Sequence, residues 1–219
     1  MEQILKDFKT FFEEENKEKS VNYILDKLQS KEIDVIELYT KILTPLLNNM
    51  ECKLEDKNIC IWNEHVKTAM VRTIVECCYP YIIEKRNQQN HIKMGVAAIL
   101  CPPNEYHDLG ARMVADFFTV CGYDAIFAGS STPYQDFYNA MHVIKPKIVS
   151  ISVSNYYNLV AASRMIKEIK TATEYPLKIV VGGHAFIGDE VNKMKAVGAD
   201  YYAHTYEDIL KLAECEVKE

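Results

Sequence analysis

The sequence predicts an α/β protein with an all-α N-terminal part: a four-helix bundle, then a flavodoxin-like or Rossmann-like sheet of five parallel strands. Residues 1–84 carry apolar side chains at spacings of three and four and show no alternating strand pattern. Beyond a polar stretch at 85–92, strand patterns alternate with helix patterns. That alternation is typical of a parallel sheet covered by helices on both faces.

Length and charge limit the function classes. The chain has 219 residues, and 48% of them are hydrophobic, which is ample for one large domain or two small ones. The net charge of −6 and the absence of a basic stripe argue against a nucleic-acid surface. The sequence shows neither a secretory leader nor an apolar run long enough to cross a bilayer, so we expect a cytoplasmic protein with no membrane partner.

The first part is predicted to be a helical bundle domain over residues 1–84. In its last segment, for example, Val66, Met70, Ile74 and Cys78 follow helical spacing. Short connections between four helices favour a small bundle. The predicted helices cover residues 2–18, 19–29, 32–50 and 59–84.

The stretch 85–92 is polar and lacks apolar periodicity, so it is the predicted linker to a second domain at 93–219. With five strands, the order 2-1-3-4-5 is favoured, and its crevice opens between the first and third strands. Strands are predicted near residues 93–101, 123–128, 147–153, 177–182 and 199–204. Helices are predicted near residues 108–121, 133–144, 156–172, 185–197 and 205–214.

A histidine follows the first strand of the predicted sheet. His107 lies in the stretch Asn104–Gly110, at the strand edge where ligands bind in open α/β sheets. An imidazole on such a loop can bind a metal or a cofactor, with Glu105 or Asp108 fixing its tautomer. It can also be an ordinary loop histidine, and taken alone that is the more common explanation.

The third and fourth strands carry two further signals. A period of two places Ser150, Ser152 and Ser154 on one face of the third strand. These hydroxyls need partners, which can be a neighbouring helix, buried water or a ligand in the crevice. Gly182 and Gly183 end the fourth strand, where missing side chains allow close approach to the backbone or merely a tight turn.

The seven cysteines form no Cys-x-x-Cys pair, and most lie in apolar periodic segments. We interpret them as reduced core thiols rather than as zinc ligands or disulfides.

Three motifs together resemble the signature of cobalamin-binding domains, Asp-x-His-x-x-Gly, Ser-x-Leu and Gly-Gly. Here they read Glu105–Gly110, Ser152–Ser154 after 41 intervening residues, and Gly182–Gly183 after 27 more. The resemblance extends over the whole chain, because a four-helix cap precedes this domain in the methionine synthase type. In motif detail it is similar to cobalamin-dependent sensors, through Glu105 and the Gly-Ser-Ser-Thr-Pro run within Ala128–Pro133.

The resemblance implies that His107 displaces the benzimidazole of cobalamin and becomes the lower axial ligand of cobalt. The displaced nucleotide tail is expected between the first and third strands, with Ser152 bonding to it and Gly182 and Gly183 leaving it room. The site residues implied in this domain are Glu105, His107, Asp108, Gly110, Ser150, Ser152, Ser154, Gly182 and Gly183.

The cap departs from the family pattern. Leu54 stands where the family has a tryptophan over the upper face of the corrin, so light sensing is not expected. We interpret Trp62 as part of the bundle core. The resemblance implies that Glu64 and His65 approach the upper ligand.

Three functions remain open. The first is a non-catalytic cobalamin sensor or carrier that acts on a protein partner, since no DNA-binding or methyltransferase domain is recognised in the sequence. The second is a corrinoid methyl-carrier subunit of a methyltransferase system. The third is a flavodoxin-like module that binds a nucleotide or another tetrapyrrole.

Overall fold

A computed structural model describes residues 1–50, 59–89 and 93–217 of the chain. The chain divides into two compact units, Met1–Lys85 and Arg86–Glu219. The first unit is helical, and the second contains five parallel strands with helices between them. The predicted fold class is therefore confirmed.

Helices form the first unit because their apolar stripes meet in one core. Phe8 and Phe12 of the first helix, Ile24 of the second and Leu38 and Ile42 of the third region are all buried. The helices are α1 (Glu2–Glu13), α2 (Lys17–Gln29), α3 (Val35–Glu37), a π-helical segment (Leu38–Leu43), α4 (Thr44–Asn48), α5 (Cys60–Cys77) and α6 (Tyr79–Gln88).

Two prolines explain where these helices differ from the predicted ones. Pro45 has no N–H to give to the carbonyl four residues back, and its ring crowds that carbonyl, so the preceding turn widens. There the Thr44 N–H bonds to the Tyr39 carbonyl, five residues back. Pro80 likewise ends the predicted helix 59–84 near Cys78, and α6 then runs through Gln88 into the predicted linker.

The sheet of the second unit has the order β2-β1-β3-β4-β5, with every neighbouring pair parallel. Its strands are β1 (Gly95–Leu100), β2 (Tyr123–Gly129), β3 (Ile148–Ser152), β4 (Lys178–Gly182) and β5 (Tyr201–Tyr202). Its helices are α7 (Leu109–Val120), α8 (Tyr134–Ile144), α9 (Leu159–Ala172), α10 (Glu190–Val197) and α11 (Tyr206–Glu216). The strand order reverses between β1 and β3, where Ile99 pairs with Ser150.

The two faces of β3 differ as the alternation predicts. Val149, Ile151 and Val153 are fully buried in a core shared with α8 and α9. Ser150 lies on the opposite face, where α7 packs against the sheet. This arrangement brings the serines of β3 and the N-terminus of α7 to the same side of the sheet.

The cysteines follow the prediction only in part. Cys78, Cys101 and Cys121 are buried free thiols, whereas Cys215 is exposed. Cys60 is disulfide-bonded, so the interpretation as a reduced thiol is wrong at that position. Within the described parts of the chain, no helix is both long and apolar enough to span a membrane.

Candidate functional site

The candidate site lies at the carboxyl edge of the sheet, where the loops that follow β1 and β3 adjoin the point of strand reversal. The first loop carries Glu105, His107 and Asp108, and the second runs from Val153 to Asn158. In a parallel sheet, both loops emerge at the same edge, next to the crevice opened by the reversal.

Glu105 joins these two loops through both of its carboxylate oxygens. Oε1 lies 2.6 Å from His107 Nδ1 and accepts the His107 N–H at 3.2 Å. Oε2 accepts the backbone N–H groups of Ser154 and Asn155 at 2.9 and 2.8 Å, and the side-chain amide of Asn158 at 3.0 Å. The carboxylate therefore ties the histidine loop to the loop of the neighbouring strand.

The Glu105 carboxylate is ionised although the residue is only 1% exposed. Burial acts to raise its pKa, but the hydrogen bonds from Asn155, Asn158 and His107 outweigh burial and hold the pKa below its usual range. An ionised carboxylate can only accept hydrogen bonds, so His107 Nδ1 is the donor. Nε2 then keeps its lone pair.

The other face of the imidazole is open. The His107 side chain is 62% exposed, even though Nδ1 is held against a buried carboxylate. One ring nitrogen is thus fixed and the other is available, which is the arrangement that carboxylates impose on metal-bound histidines. Nearby, burial above all, and the Asp108 and Glu105 charges secondarily, raise the pKa of the Cys101 thiol to about 12, so this cysteine stays protonated at neutral pH.

Asp108 has a different contact from Glu105. Its Oδ2 accepts a hydrogen bond from the Ser130 hydroxyl at 3.0 Å. Ser130 lies on the loop that follows β2. Of the two carboxylates that could fix the tautomer of His107, Glu105 makes the contact with the imidazole, while Asp108 ties the same loop to the other neighbouring strand.

The crevice beside β3 offers hydroxyls and open space. Ser150 is buried and Ser152 half-buried, and no hydrogen bond to either hydroxyl occurs among the described residues. Ser154 contributes its backbone N–H to Glu105. At the start of α7, a side-chain carbon added to Gly110 would meet nothing within 4 Å.

These groups fit a cobalt corrinoid. An imidazole nitrogen is a suitable ligand for cobalt, and the macrocycle brings its own ring nitrogens, so one protein ligand suffices. Hydroxyl groups in a crevice, such as those of Ser150 and Ser152, suit the polar groups of a nucleotide tail.

Close packing of neighbouring backbone segments already requires glycine at positions 182 and 183. An added carbon would lie 2.5 Å from the Ala203 carbonyl oxygen at Gly182 and 2.4 Å from the Val153 carbonyl oxygen at Gly183. Gly183 also has a φ of 103°, which side chains rarely adopt. Close strand packing therefore explains both glycines, and their contact with the tail remains a prediction.

The predicted cap residues belong to the first unit. Glu64 and His65 are exposed in the first turns of α5. Leu54 lies outside the described residues. Trp62 is 69% exposed, so its interpretation as bundle core is wrong. The buried apolar stripe of α5 begins only at Met70, two turns after Trp62.

Three residues of the site were not predicted from the sequence: Asn155, Asn158 and Ser130. Each acts on a residue of the histidine loop through a hydrogen bond across a neighbouring loop. A local signal did exist, because polar residues that directly follow a buried parallel strand are typical of ligand-binding edges.

Comparisons with known proteins identify the family and show similar folds. The family model described as "B12 binding domain" matches residues 95–212. The chain is similar to the monomethylamine corrinoid protein of Methanosarcina barkeri, with a TM-score of 0.80, 15% identity and 97% of both chains covered. No protein among the curated sequences matches significantly.

Two further solved structures are more distant. A cobalamin-binding protein from Desulfitobacterium hafniense is 16% identical with a TM-score of 0.49, over 97% of this chain and 98% of the other. The methanol:cobalamin methyltransferase complex of Methanosarcina barkeri is 16% identical with a TM-score of 0.49, over 99% of this chain and 80% of the other. Because the family model spans more than half of the 219 residues, the chain belongs to the B12 binding domain family, and its cofactor is cobalamin.

Proposed function

We propose that His107 Nε2 is the lower axial ligand of cobalamin and that the protein carries this cofactor for a separate partner protein. The observation that carries the proposal is the 2.6 Å contact between His107 Nδ1 and the buried Glu105 carboxylate, which leaves the opposite ring nitrogen exposed. Holding Nδ1 as the donor fixes the tautomer and increases the basicity of Nε2.

Other residues are assigned to the nucleotide tail. Ser150 and Ser152 have hydroxyls available on the crevice side of β3, and Gly110 leaves space at the start of α7. We assign the tail to this space, with Ser154 closing it from the loop. We also assign Gly182 and Gly183 to the tail.

The favoured role is methyl carriage. Bound cobalamin supplies a cobalt centre that accepts and returns a methyl group. The shared fold with a monomethylamine corrinoid protein, over 97% of both chains, supports a corrinoid subunit that works with a methyltransferase. In this proposal the chain contributes binding, orientation of His107 and exclusion of water from the crevice, while the partner contributes the catalytic residues.

A sensor role is the second candidate. Its support is the sequence detail Glu105-x-His107 and the Gly-Ser-Ser-Thr-Pro run that ends at Pro133, both similar to cobalamin-dependent sensors. In a sensor, a change of upper ligand would alter the affinity for a regulatory partner.

An absorption titration of the apoprotein with hydroxocobalamin tests the coordination. Wild type should give the spectrum of histidine-coordinated cobalamin, and His107→Ala should give the base-off spectrum with weaker binding. His142→Ala is the control, since His142 is an exposed histidine of the second unit in the last turn of α8. If His107→Ala bound with an unchanged spectrum, the ligand assignment would be wrong.

A second measurement distinguishes the methyl-carrier role from the sensor role. The loaded protein is reduced, mixed with a small methylated donor and assayed for methyl uptake, and binding of light-exposed or dark adenosylcobalamin is compared in parallel. Methyl uptake that depends on His107 supports the carrier. Preference for adenosylcobalamin without methyl uptake supports the sensor.

A further inference from the structure

The loop after β2 begins at a bulge in the strand and contains two residues with left-handed backbone angles. The pairing of β1 with β2 shifts register between Ile99 and Leu100, because Ala128 is an extra residue in β2. Gly129 and Ser131, on either side of Ser130, both have positive φ angles, of 72° and 61°. Bulges next to functional sites commonly re-aim a side chain. A non-glycine residue with a left-handed backbone, such as Ser131, is strained and persists only where the surrounding structure holds it.

Further hydrogen bonds hold this loop in place. The Thr132 hydroxyl donates to the Ala128 carbonyl at 3.0 Å, which closes the turn. The Cys101 N–H donates to the Gly129 carbonyl at 2.9 Å, which fixes the turn to the end of β1. The turn therefore presents Ser130 in a defined direction.

That direction is toward Asp108. The Ser130 hydroxyl donates to Asp108 Oδ2 at 3.0 Å. A side-chain carbon added to Gly129 would lie 3.3 Å from the same oxygen, which is tighter than most such contacts. Glycine at this position therefore leaves room for the Asp108 carboxylate. Asp108 is also the first residue of the turn that opens α7, since its carbonyl accepts the Arg112 N–H at 2.9 Å.

His107 thus stands between two anchored carboxylates. Glu105 is held by the loop after β3, and Asp108 is held by the loop after β2. His107 and Asp108 are adjacent in the chain. If Asp108 is not held in place, the backbone at His107 becomes more mobile, and the imidazole moves with it. One anchor fixes the ring nitrogen, and the other fixes the backbone from which the ring extends.

We infer that Ser130 is a positioning residue for His107, acting through Asp108 to hold the imidazole where it coordinates the corrinoid cobalt. This inference rests on the proposed function. Loss of the hydroxyl should leave the fold intact and loosen the ligand loop, so that coordination weakens without loss of the binding domain.

The test compares Ser130→Ala and Ser130→Thr in the full chain, with Ser131→Ala as the matched control. Dissociation constants for hydroxocobalamin come from absorption titrations, and the nitrogen splitting in the electron paramagnetic resonance spectrum of the reduced cofactor reports coordination by imidazole. We expect Ser130→Ala to bind hydroxocobalamin about 10-fold more weakly, because mutation of a residue that orients a metal ligand typically weakens binding by about this factor. Its nitrogen splitting should be reduced, whereas Ser130→Thr and Ser131→Ala should match wild type.

A double-mutant cycle with Asp108→Ala separates positioning from general loosening of the fold. If Ser130 acts through Asp108, the double variant should bind no more weakly than Asp108→Ala alone. Additive losses, or a Ser130→Ala variant with wild-type coordination, would overturn the inference. Absence of nitrogen splitting in wild type would instead overturn the proposed function, and this inference with it.

Discussion

The side-chain amide of Asn158 donates a 3.0 Å hydrogen bond to Glu105 Oε2 from a position 53 residues further along the chain. The same amide also donates to the Asn104 carbonyl, at 3.3 Å. One side chain of the β3 loop thus contacts the histidine loop twice, beside the carboxylate that holds the imidazole.

Replacing Asn158 by alanine should therefore weaken both stability and cofactor binding. A lost hydrogen bond to a buried carboxylate costs about 2 kcal/mol, measured as the free energy of unfolding in urea. Binding of hydroxocobalamin should fall about 10-fold. Asn139→Ala is the control, because Asn139 is an exposed asparagine of α8, away from both loops of the site. Equal behaviour of the two variants would contradict this account.

Stability should fall in acid partly through Glu105. Its folded-state pKa is lower than the ordinary value of 4.5, so its ionisation stabilises the fold above about pH 4.5. This contribution is lost as the pH falls through the lowered value, because protonation removes the acceptor for His107 and Asn158. Urea midpoints measured from pH 7 down to pH 3 should drop less steeply in Glu105→Gln than in wild type. The exposed control Glu174→Gln should follow the wild-type curve.

Gly183→Ala should be strongly destabilising for a reason that does not involve the cofactor. The variant combines a φ of 103° with a carbon 2.4 Å from the Val153 carbonyl oxygen. We expect a loss of about 3 kcal/mol or more in the free energy of unfolding. Gly188→Ala isolates the backbone effect, since Gly188 has a φ of 91° but nothing within 4 Å of the added carbon. Gly188→Ala should lower the free energy of unfolding by about 1 kcal/mol. A similar loss in both variants would show that Gly183→Ala relieves its close contact with the Val153 carbonyl oxygen.

Gly110→Ala should change stability and binding in opposite directions. Alanine is the better helix former, so the apoprotein should gain about 0.5 kcal/mol at the start of α7. If the nucleotide tail occupies the open space there, Gly110→Ala should bind cobalamin more weakly, and Gly110→Leu more weakly still. Titration of both variants checks this, and unchanged affinity in Gly110→Leu would remove the tail from this part of the crevice.

Local periodicity predicts most of the second unit. Strand order and the alternation of Ser150 with Val149 and Ile151 follow from patterns that extend over only a few residues. The strand edge that carries His107 follows as well, because βαβ connections place every such loop at the same edge. His107 as a candidate ligand, and Glu105 as its candidate partner, were therefore accessible from sequence.

Contacts between distant loops were not accessible in this way. Asn158 and Ser130 act across 53 and 22 residues, and a hydrogen bond of that kind imposes no periodic pattern on the chain. The exposure of Trp62 was missed for a different reason. A tryptophan in an amphipathic helix usually faces the core, whereas in α5 the buried stripe includes Met70, Val71 and Ile74 but not the first turn.

The hydrogen bonds that hold the ligand site together can form only late in the synthesis of the chain. Glu105 leaves the ribosome well before Ser154, Asn155 and Asn158, so early in translation its Oε2 lacks all three of these donors. Burying an unpartnered carboxylate is unfavourable, which keeps the histidine loop hydrated until β3 has joined β1. Cofactor loading should therefore follow assembly of the sheet, and a chain cut before residue 154 should bind cobalamin more weakly because Glu105 lacks the donors that hold it in place.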